Sequence, residues 1–314
     1  MQKLKFIYLL FITVTLFSCR KEDTTPPLEN TQNEDLSGYQ EIASINLGGA
    51  GAAEITAFDP TTDRLFSVNN SAENKIDVID MSNPASLTVI KSISMLPYGG
   101  YVNSVAVSNG KLAAAIESTN KQANGKIVVF NTSTYAEIKS INVGALPDMV
   151  TFSPDGNYII SANEGEPSAD YLNDPEGSVS IIKVSDYSVT TLNFAAFESQ
   201  LASLTAKGFR IFGPGKNFIK DIEPEYITVS DDSKTAYVTL QENNAIAEID
   251  IATATVKKIT PLGFKDYSLA ANAIDVSDKD NKIEFANFAK VYGMYMPDAI
   301  AYFNYIGTPY LFTA

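Results

Sequence analysis

The 314-residue chain contains no histidine, no tryptophan and a single cysteine. Without imidazole there is no Ser-His-Asp or Cys-His catalytic arrangement, no imidazole-held metal and no His-ligated haem. Without tryptophan there is no Trp-Asp repeat signature. One cysteine allows neither an internal disulfide nor a Cys-rich zinc site. Basic charge is also scarce: 23 Lys and Arg stand against 37 Asp and Glu, a net charge of −14. That balance argues against nucleic acid as a partner, because phosphate binding needs a cationic surface. What the chain does have is apolar mass. Its 45% hydrophobic and 19% charged residues suit a globular protein with a sizeable core. The length allows two ordinary domains or one large all-β domain.

The N-terminus reads as an address. Lys3 and Lys5 form a basic start, and Phe6 to Phe17 is an apolar run too short to span a hydrocarbon core. The only cysteine closes that run, in Leu16-Phe17-Ser18-Cys19. A small residue before a Cys after an apolar stretch resembles a bacterial lipobox, in which cleavage precedes an acylated cysteine. The other reading is an ordinary secretory signal with an incidental cysteine; the position of the sole Cys favours lipidation at Cys19. Residues 1–18 are then the signal peptide, and their removal leaves a net charge of −16. Residues 19–37 are polar, carry Pro26-Pro27, and read as a flexible tether. The expected address is export, with lipid anchoring to a bacterial outer membrane or cell surface.

Self-similarity organises the remainder, residues 38–314. YQEIASINLG at 39–48 and YAEIKSINVG at 135–144 are identical at seven of ten positions. Units begin at Glu54, Asn103, Asp148, Glu225 and Asp298, at spacings of 49, 45, 77 and 73 residues. Each opens with two alternating apolar stretches, joined in the first four by polar turns at Asp59-Pro60, Asn109-Gly110, Pro154-Asp155-Gly156 and Asp231-Asp232, a hairpin signature. In those four units third and fourth strand-like runs follow, such as KIVVFNT and AEIKSIN. Four strands per unit predict an all-β propeller of four-stranded blades, two of them enlarged. One enlargement, 195–222, starts with a helical pattern over 195–207 (Phe197, Leu201, Leu204) and a stop at Gly208. The other is 263–297.

The run ALPDMVTFSPDGNYIISANEGEPSADYLNDPEGSVSII resembles the choice-of-anchor I family, as do GFRIFGPG, EPEYITVS, AYVTLQENNAIAEIDI and GMYMPDAIA. PDMVTFSPDGNYIISAN also resembles the broader Tyr-Val-Thr-Asn class of surface propeller repeats. The resemblance implies a secreted or surface-anchored propeller without a settled activity. Some members carry an alkaline-phosphatase label, for which this chain has no metal-site histidine and no evident serine nucleophile. Ala314 falls inside the second strand of the fifth unit. The expectation is therefore about four and a half blades of seven, incomplete at the C-terminus, the alternative being a smaller ring that closes differently. Residues 39–48 are expected to act as the outermost strand of the closing blade.

The residues entering each first strand (Glu54, Asn103, Asp148, Glu225, Asp298) and those ending each second strand (Asn70, Glu117, Asn163-Glu164, Glu242-Asn243) are expected to meet at the mouth of the central channel. Three of the entries follow proline, which fixes φ. Carboxylates with amide and backbone oxygens suit Ca²⁺ or Mg²⁺. The candidate metal set is Glu54, Glu117, Asp148, Glu164, Glu225, Glu242 and Asp298. The plainer reading, that acids recur by descent in an acidic repeat protein, stays open beside it. An acidic run over Asp275–Asn281 lacks the glycine and glutamate of a calcium loop and reads as a solvated turn. Tyr158, Tyr237 and Tyr310 are expected to pack between blades. The expected function is a binding domain, presented at the surface to a protein, a glycan or a small cationic ligand, with a divalent cation as a candidate structural partner. The alternative is a divalent-metal phosphoesterase or other hydrolase, with metals and water held by the grouped carboxylates.

Overall fold

The computed structural model describes residues 36–314. The signal segment, Cys19 and the tether up to residue 35 lie outside the described residues. Residues Met1–Glu41 and Ile42–Ala314 form two separate units; in the first, Leu36–Gly38 is a single 3₁₀ turn.

In the second unit, four antiparallel sheets of four strands follow one another, each in simple sequence order, and a two-stranded hairpin follows them. The first blade comprises Ala52–Asp59, Arg64–Asn69, Lys75–Asp80 and Thr88–Ser94. The second comprises Val102–Ser108, Lys111–Ile116, Asn124–Asn131 and Glu137–Ala145. The third comprises Pro147–Phe152, Tyr158–Asn163, Ser178–Lys183 and Val189–Leu192. The fourth comprises Pro224–Val229, Thr235–Leu240, Ala245–Asp250 and Thr255–Pro261. The hairpin Ile300–Tyr305 with Thr308–Thr313 begins the fifth. The first strand of each blade touches the first strand of the next, the arrangement of sheets fanned about a shared axis.

Burial explains why the sheets stand side by side. Middle strands are buried on both faces: in Lys111–Ile116 every residue after the lysine is inaccessible. Leu112, Ala114 and Ile116 pack with Phe66, Val68 and Val78 of the first blade. Ala113 and Ala115, pointing the other way, pack with Val150, Phe152 and Ile159 of the third. Ile160, Ala162 and Val179 of the third blade continue the pattern with Ala236, Val238 and Ala247 of the fourth. Fully burying an aliphatic side chain is worth about 1.5–3 kcal/mol, so each two-faced strand ties a blade to both neighbours. Outer strands such as Thr88–Ser94 remain largely exposed. Turn chemistry fits the hairpins: Asn109 and Gly110 both have positive φ (48° and 72°), as a type I′ turn requires.

The enlargement over 195–207 is helical, but it begins as 3₁₀ (Ala195–Gln200) and becomes α only over Leu201–Thr205. Phe197 and Leu204 are buried, and the chain leaves at Gly208 with φ 103°. Tyr237 of the fourth blade stacks on Tyr302 of the fifth, 6.1 Å between ring centroids. Tyr158 packs against the core shared by the third and fourth blades. Tyr310 differs from expectation, at 47% exposed: it lies opposite Phe303, on the face of the hairpin turned away from Tyr302.

Residues 39–48 are another difference. They lie in no strand, although their sequence matches the outer strand Glu137–Ala145. A fourth strand gains its ladder hydrogen bonds only beside a third strand, and each described four-stranded sheet already holds its own fourth. The segment makes one polar link instead, Asn69 Nδ2 donating to the Leu47 carbonyl at 2.8 Å.

Candidate functional site

Each first strand opens with an interruption of its pairing with the second. The register breaks between Ala52 and Thr56, Val102 and Ser104, Pro147 and Met149, and Pro224 and Ile227. In the hairpin the N–H of Asp298 donates to Ala314, while Ala314 in turn donates to Ala299. Glu54, Asn103, Asp148, Glu225 and Asp298 thus all sit in β-bulges. A bulge leaves an extra residue outside the ladder and re-aims its side chain. The second, third and fourth blades each insert one extra residue at this place, and the first inserts two.

The residues closing the second strands divide by chemistry. The amides work inside the protein. Asn70 grips the next blade, Nδ2 donating to the Val102 carbonyl (2.9 Å) and Oδ1 accepting from its N–H (3.2 Å). Asn103 donates to the Pro147 carbonyl at 3.1 Å. Asn163, fully buried, donates to Ser178 and Ser180. Asn243 donates to the carbonyls of Arg210 and Asp221 and accepts from the N–H of Glu223. Its neighbour Asn244 donates to Gly208 and Gly263 and accepts from Tyr295 and Met296. That amide pair fastens both enlargements to the fourth blade.

The carboxyls act on one another. Glu117, Asp148, Glu164, Glu225, Glu242 and Asp298, from four blades, form one electrostatic group together with Glu166 and Glu223. Burial and then the charges of Asp148 and Glu166 push Glu164 up to about 8. Burial and then Glu164 and Glu242 push Glu223 up to about 8. Burial and then Glu242 push Glu225 up to about 9. Asp148 is raised to about 6, burial outweighing the opposing pull of Lys121. Glu117 and Glu242 are raised too, chiefly by burial. Glu225 and Glu242 act directly on one another, the charge of Glu242 adding to the rise at Glu225. The Gln241 amide, its nitrogen turned to Glu225, donates to both oxygens of that carboxylate.

Two cations oppose this group. Lys121, between the second and third strands of the second blade, forms an ion pair with Glu166 and also acts on Glu164 and Glu117. Arg210 lies 5.1 Å over the Phe212 ring and draws on Glu242. Glu117 is pinned by the entry of its own blade, where Tyr101 N–H donates to its Oε1 at 3.3 Å and Gly100 N–H to its carbonyl at 2.8 Å. A cavity of about 660 Å³ opens beside it, lined by Asn70, Glu73, Gly100 and Tyr101.

The structure therefore assembles six of the seven carboxyls picked from the sequence and leaves one out. Glu54 sits in the longer bulge of the first blade, is exposed, lies two blades away from Asp148, and takes no part. Glu223 and Lys121 were missed. The repeat pattern has no counterpart for Lys121, and Glu223 precedes the repeat position by two residues, its only signal being the run Glu223-Pro224-Glu225. Elsewhere, Asp170 is turned to Ser168 and the Leu172 N–H, and Glu176 accepts from Asn193. Asp275 is occupied by the N–H groups of Ser277 and Glu284, which closes the acidic run as a turn. Among the described residues no three Asp, Glu or Cys side chains stand close enough to hold one metal ion. A second cleft of about 750 Å³, between Asn124, Gly144, Thr191, Asn193 and Thr255, contains none of the eight grouped carboxyls.

The model of the choice-of-anchor I domain matches residues 54–314. Among solved structures, the chain is similar to Kuenenia stuttgartiensis hydrazine synthase, at 13% identity and a TM-score of 0.49, covering 82% of this chain and 70% of that one. It is also similar to the β-propeller domain of Myceliophteria thermophila Cps50 (Swd1), at 9% identity and a TM-score of 0.47, covering 72% and 61%. No curated protein matches. Among the described residues no helix is long and apolar enough to cross a membrane.

Proposed function

The chain belongs to the choice-of-anchor I family, and on that premise we propose that it is a binding module of the cell surface whose acidic channel mouth captures a cationic ligand. The observation that carries the reading is the mutual charging of eight carboxyls from four blades against two cations. Folding brings these groups together at a cost, since burial and neighbouring acids push Glu117, Asp148, Glu164, Glu223, Glu225 and Glu242 toward their neutral forms. A bound cation reverses that cost and draws the protons off. A mouth lined by one sign of charge also raises the local concentration of the opposite sign.

Anchoring follows the N-terminal address: cleavage before Cys19, two or more acyl chains, and a polar tether that holds the propeller away from the lipid. Mass spectrometry of the membrane-extracted protein is expected to find an acylated Cys19 at the mature N-terminus. A soluble product cleaved elsewhere overturns the anchor and leaves the mouth untouched.

The mouth is tested by calorimetry and thermal melting at pH 8 in low salt. Calcium, magnesium and organic amines are added at constant ionic strength to the protein and to a Glu164→Gln/Glu225→Gln variant. Heat and a raised melting temperature with at least one cation, lost in the variant, are expected. If no cation, metal or organic, gives heat or a shift, the reading falls.

A further inference from the structure

The chemical class of the ligand can be narrowed, an inference that rests on the cationic-ligand reading above. Calcium asks for six to eight oxygens at 2.3–2.6 Å and magnesium for a tight octahedron. The carboxyls of the mouth are near enough to charge one another but are not gathered in threes around a point. A ligand that neutralises them as they stand must carry its positive charge in more than one place.

The second observation lies in the fourth blade. Glu223 is 4% exposed, and among the described residues its carboxyl receives no hydrogen bond and no ion pair. It faces Glu164, Glu242 and Glu166. The Oε2 of Glu242, also buried, has no partner either. A buried acceptor without a donor, as Glu242 Oε2 is, is costly, and it lies with Glu223 on the side that Lys121 does not serve. The Lys121 ammonium is held by Glu166 and acts on Glu164, Glu117 and Asp148, while Arg210 acts on Glu242. One side of the mouth thus already accommodates a primary ammonium, the chain's own, while on the other side Glu223 has no donor or cation of its own among the described residues. An ammonium offers three N–H donors, which a quaternary amine lacks.

We propose that the channel mouth binds a linear aliphatic polyamine, with a terminal ammonium among Glu164, Glu223, Glu225 and Glu242 and the rest of the chain running toward Asp148 and Asp298. The methylene spacers separate the charges to suit carboxyls that are themselves apart. Binding replaces the protons held by the carboxyls, so protons are released to the buffer.

Titration calorimetry of the full chain with spermidine at pH 8, in two buffers of different ionisation enthalpy, tests this. Spermidine is expected to bind with net proton release, and tetramethylammonium is not. Glu223→Gln is expected to weaken spermidine at least tenfold while remaining folded by circular dichroism, and Glu54→Gln to leave it unchanged. Should Glu223→Gln fail to fold, Glu225→Gln carries the same expectation. Calcium binding without spermidine binding overturns the polyamine and leaves the cationic mouth standing. So does binding of a lysine-rich peptide when spermidine is inert. If none of the three binds, both readings fall together.

Discussion

The rim over the first and second blades and the rim over the third and fourth are built from equivalent positions and finished with different chemistry. On the first, Asn70 closes a second strand and spends both ends of its amide on the backbone of Val102. Asn74 likewise donates to the Gly100 carbonyl at 2.8 Å. Each of these amides is answered by another group within the protein. On the second, carboxyls crowd beside the amides Asn163 and Asn243, Glu117 of the second blade joining them, and Glu242 keeps an oxygen that nothing answers among the described residues. An amide carries donor and acceptor and can satisfy a backbone from both sides; an ionised carboxylate only accepts and, once buried with its own kind, repels. Where amides predominate the rim is finished by folding, and where carboxyls crowd together it is left for a ligand.

If that contrast is right, losing an amide destabilises the fold and losing a carboxyl does the opposite. The largest effect is expected at Asn243, the amide that serves the acidic side. Asn243→Ala removes two donors and an acceptor from a fully buried position, stranding the carbonyls of Arg210 and Asp221. A loss of about 3–4 kcal/mol in urea unfolding is expected. Asn70→Ala, nearer solvent, is expected to cost about 1–2 kcal/mol by the same measurement. Comparable losses at the two sites would erase the distinction between a clamp and a simple rim bond.

The carboxyl side predicts the opposite sign with pH. Glu164, Glu223 and Glu225 bind their protons more tightly folded than unfolded, reaching about 8, 8 and 9. Their contribution is complete below the ordinary carboxylate range and is lost as pH rises through those values. Stability from these groups should therefore fall between about pH 4.5 and pH 9. A tenfold gain in proton affinity on folding corresponds to about 1.4 kcal/mol, and solvent at the mouth screens the sum, so a loss of about 2–3 kcal/mol overall is expected. Glu225→Gln should flatten the profile and raise the melting temperature at the alkaline end. A profile rising over this window would mean that the carboxyls are already compensated.

Much of the fold is legible in the sequence because β-structure announces itself by period and turn residue. The hairpin turns at Asn109-Gly110 and Asp155-Gly156, the helical start at Phe197 and the two enlargements all follow local rules. So does the meeting of Glu117, Asp148, Glu164, Glu225, Glu242 and Asp298, because repeated positions in a repeated sheet arrive at one end of the fold. What is not legible depends on partners. Whether a rim residue turns inward as Glu164 or sideways as Asn163 is decided by which backbone groups of the next blade need donors. The bulges that aim the entry residues leave no mark in composition. Residues 39–48 have the pattern of an outer strand, but pairing is a property of the neighbour as much as of the segment. Lys121 enters the site because its loop passes over Glu166, a juxtaposition across 45 residues of sequence.

The smallest expected effect is the sharpest on the comparison. Glu54 has the position in the repeat and the side chain of a mouth residue, but it sits in a longer bulge and lacks the neighbours. Glu54→Gln is therefore expected to change stability by less than about 0.5 kcal/mol, as exposed substitutions do, and to leave cation binding unmoved. The same exchange at Glu225 removes a charge that burial and neighbouring acids hold near neutrality. If Glu54→Gln weakens cation binding as much as Glu225→Gln does, the site extends around the first blade and the division between the two rims is false. If neither matters, the carboxyls recur only because the blades do.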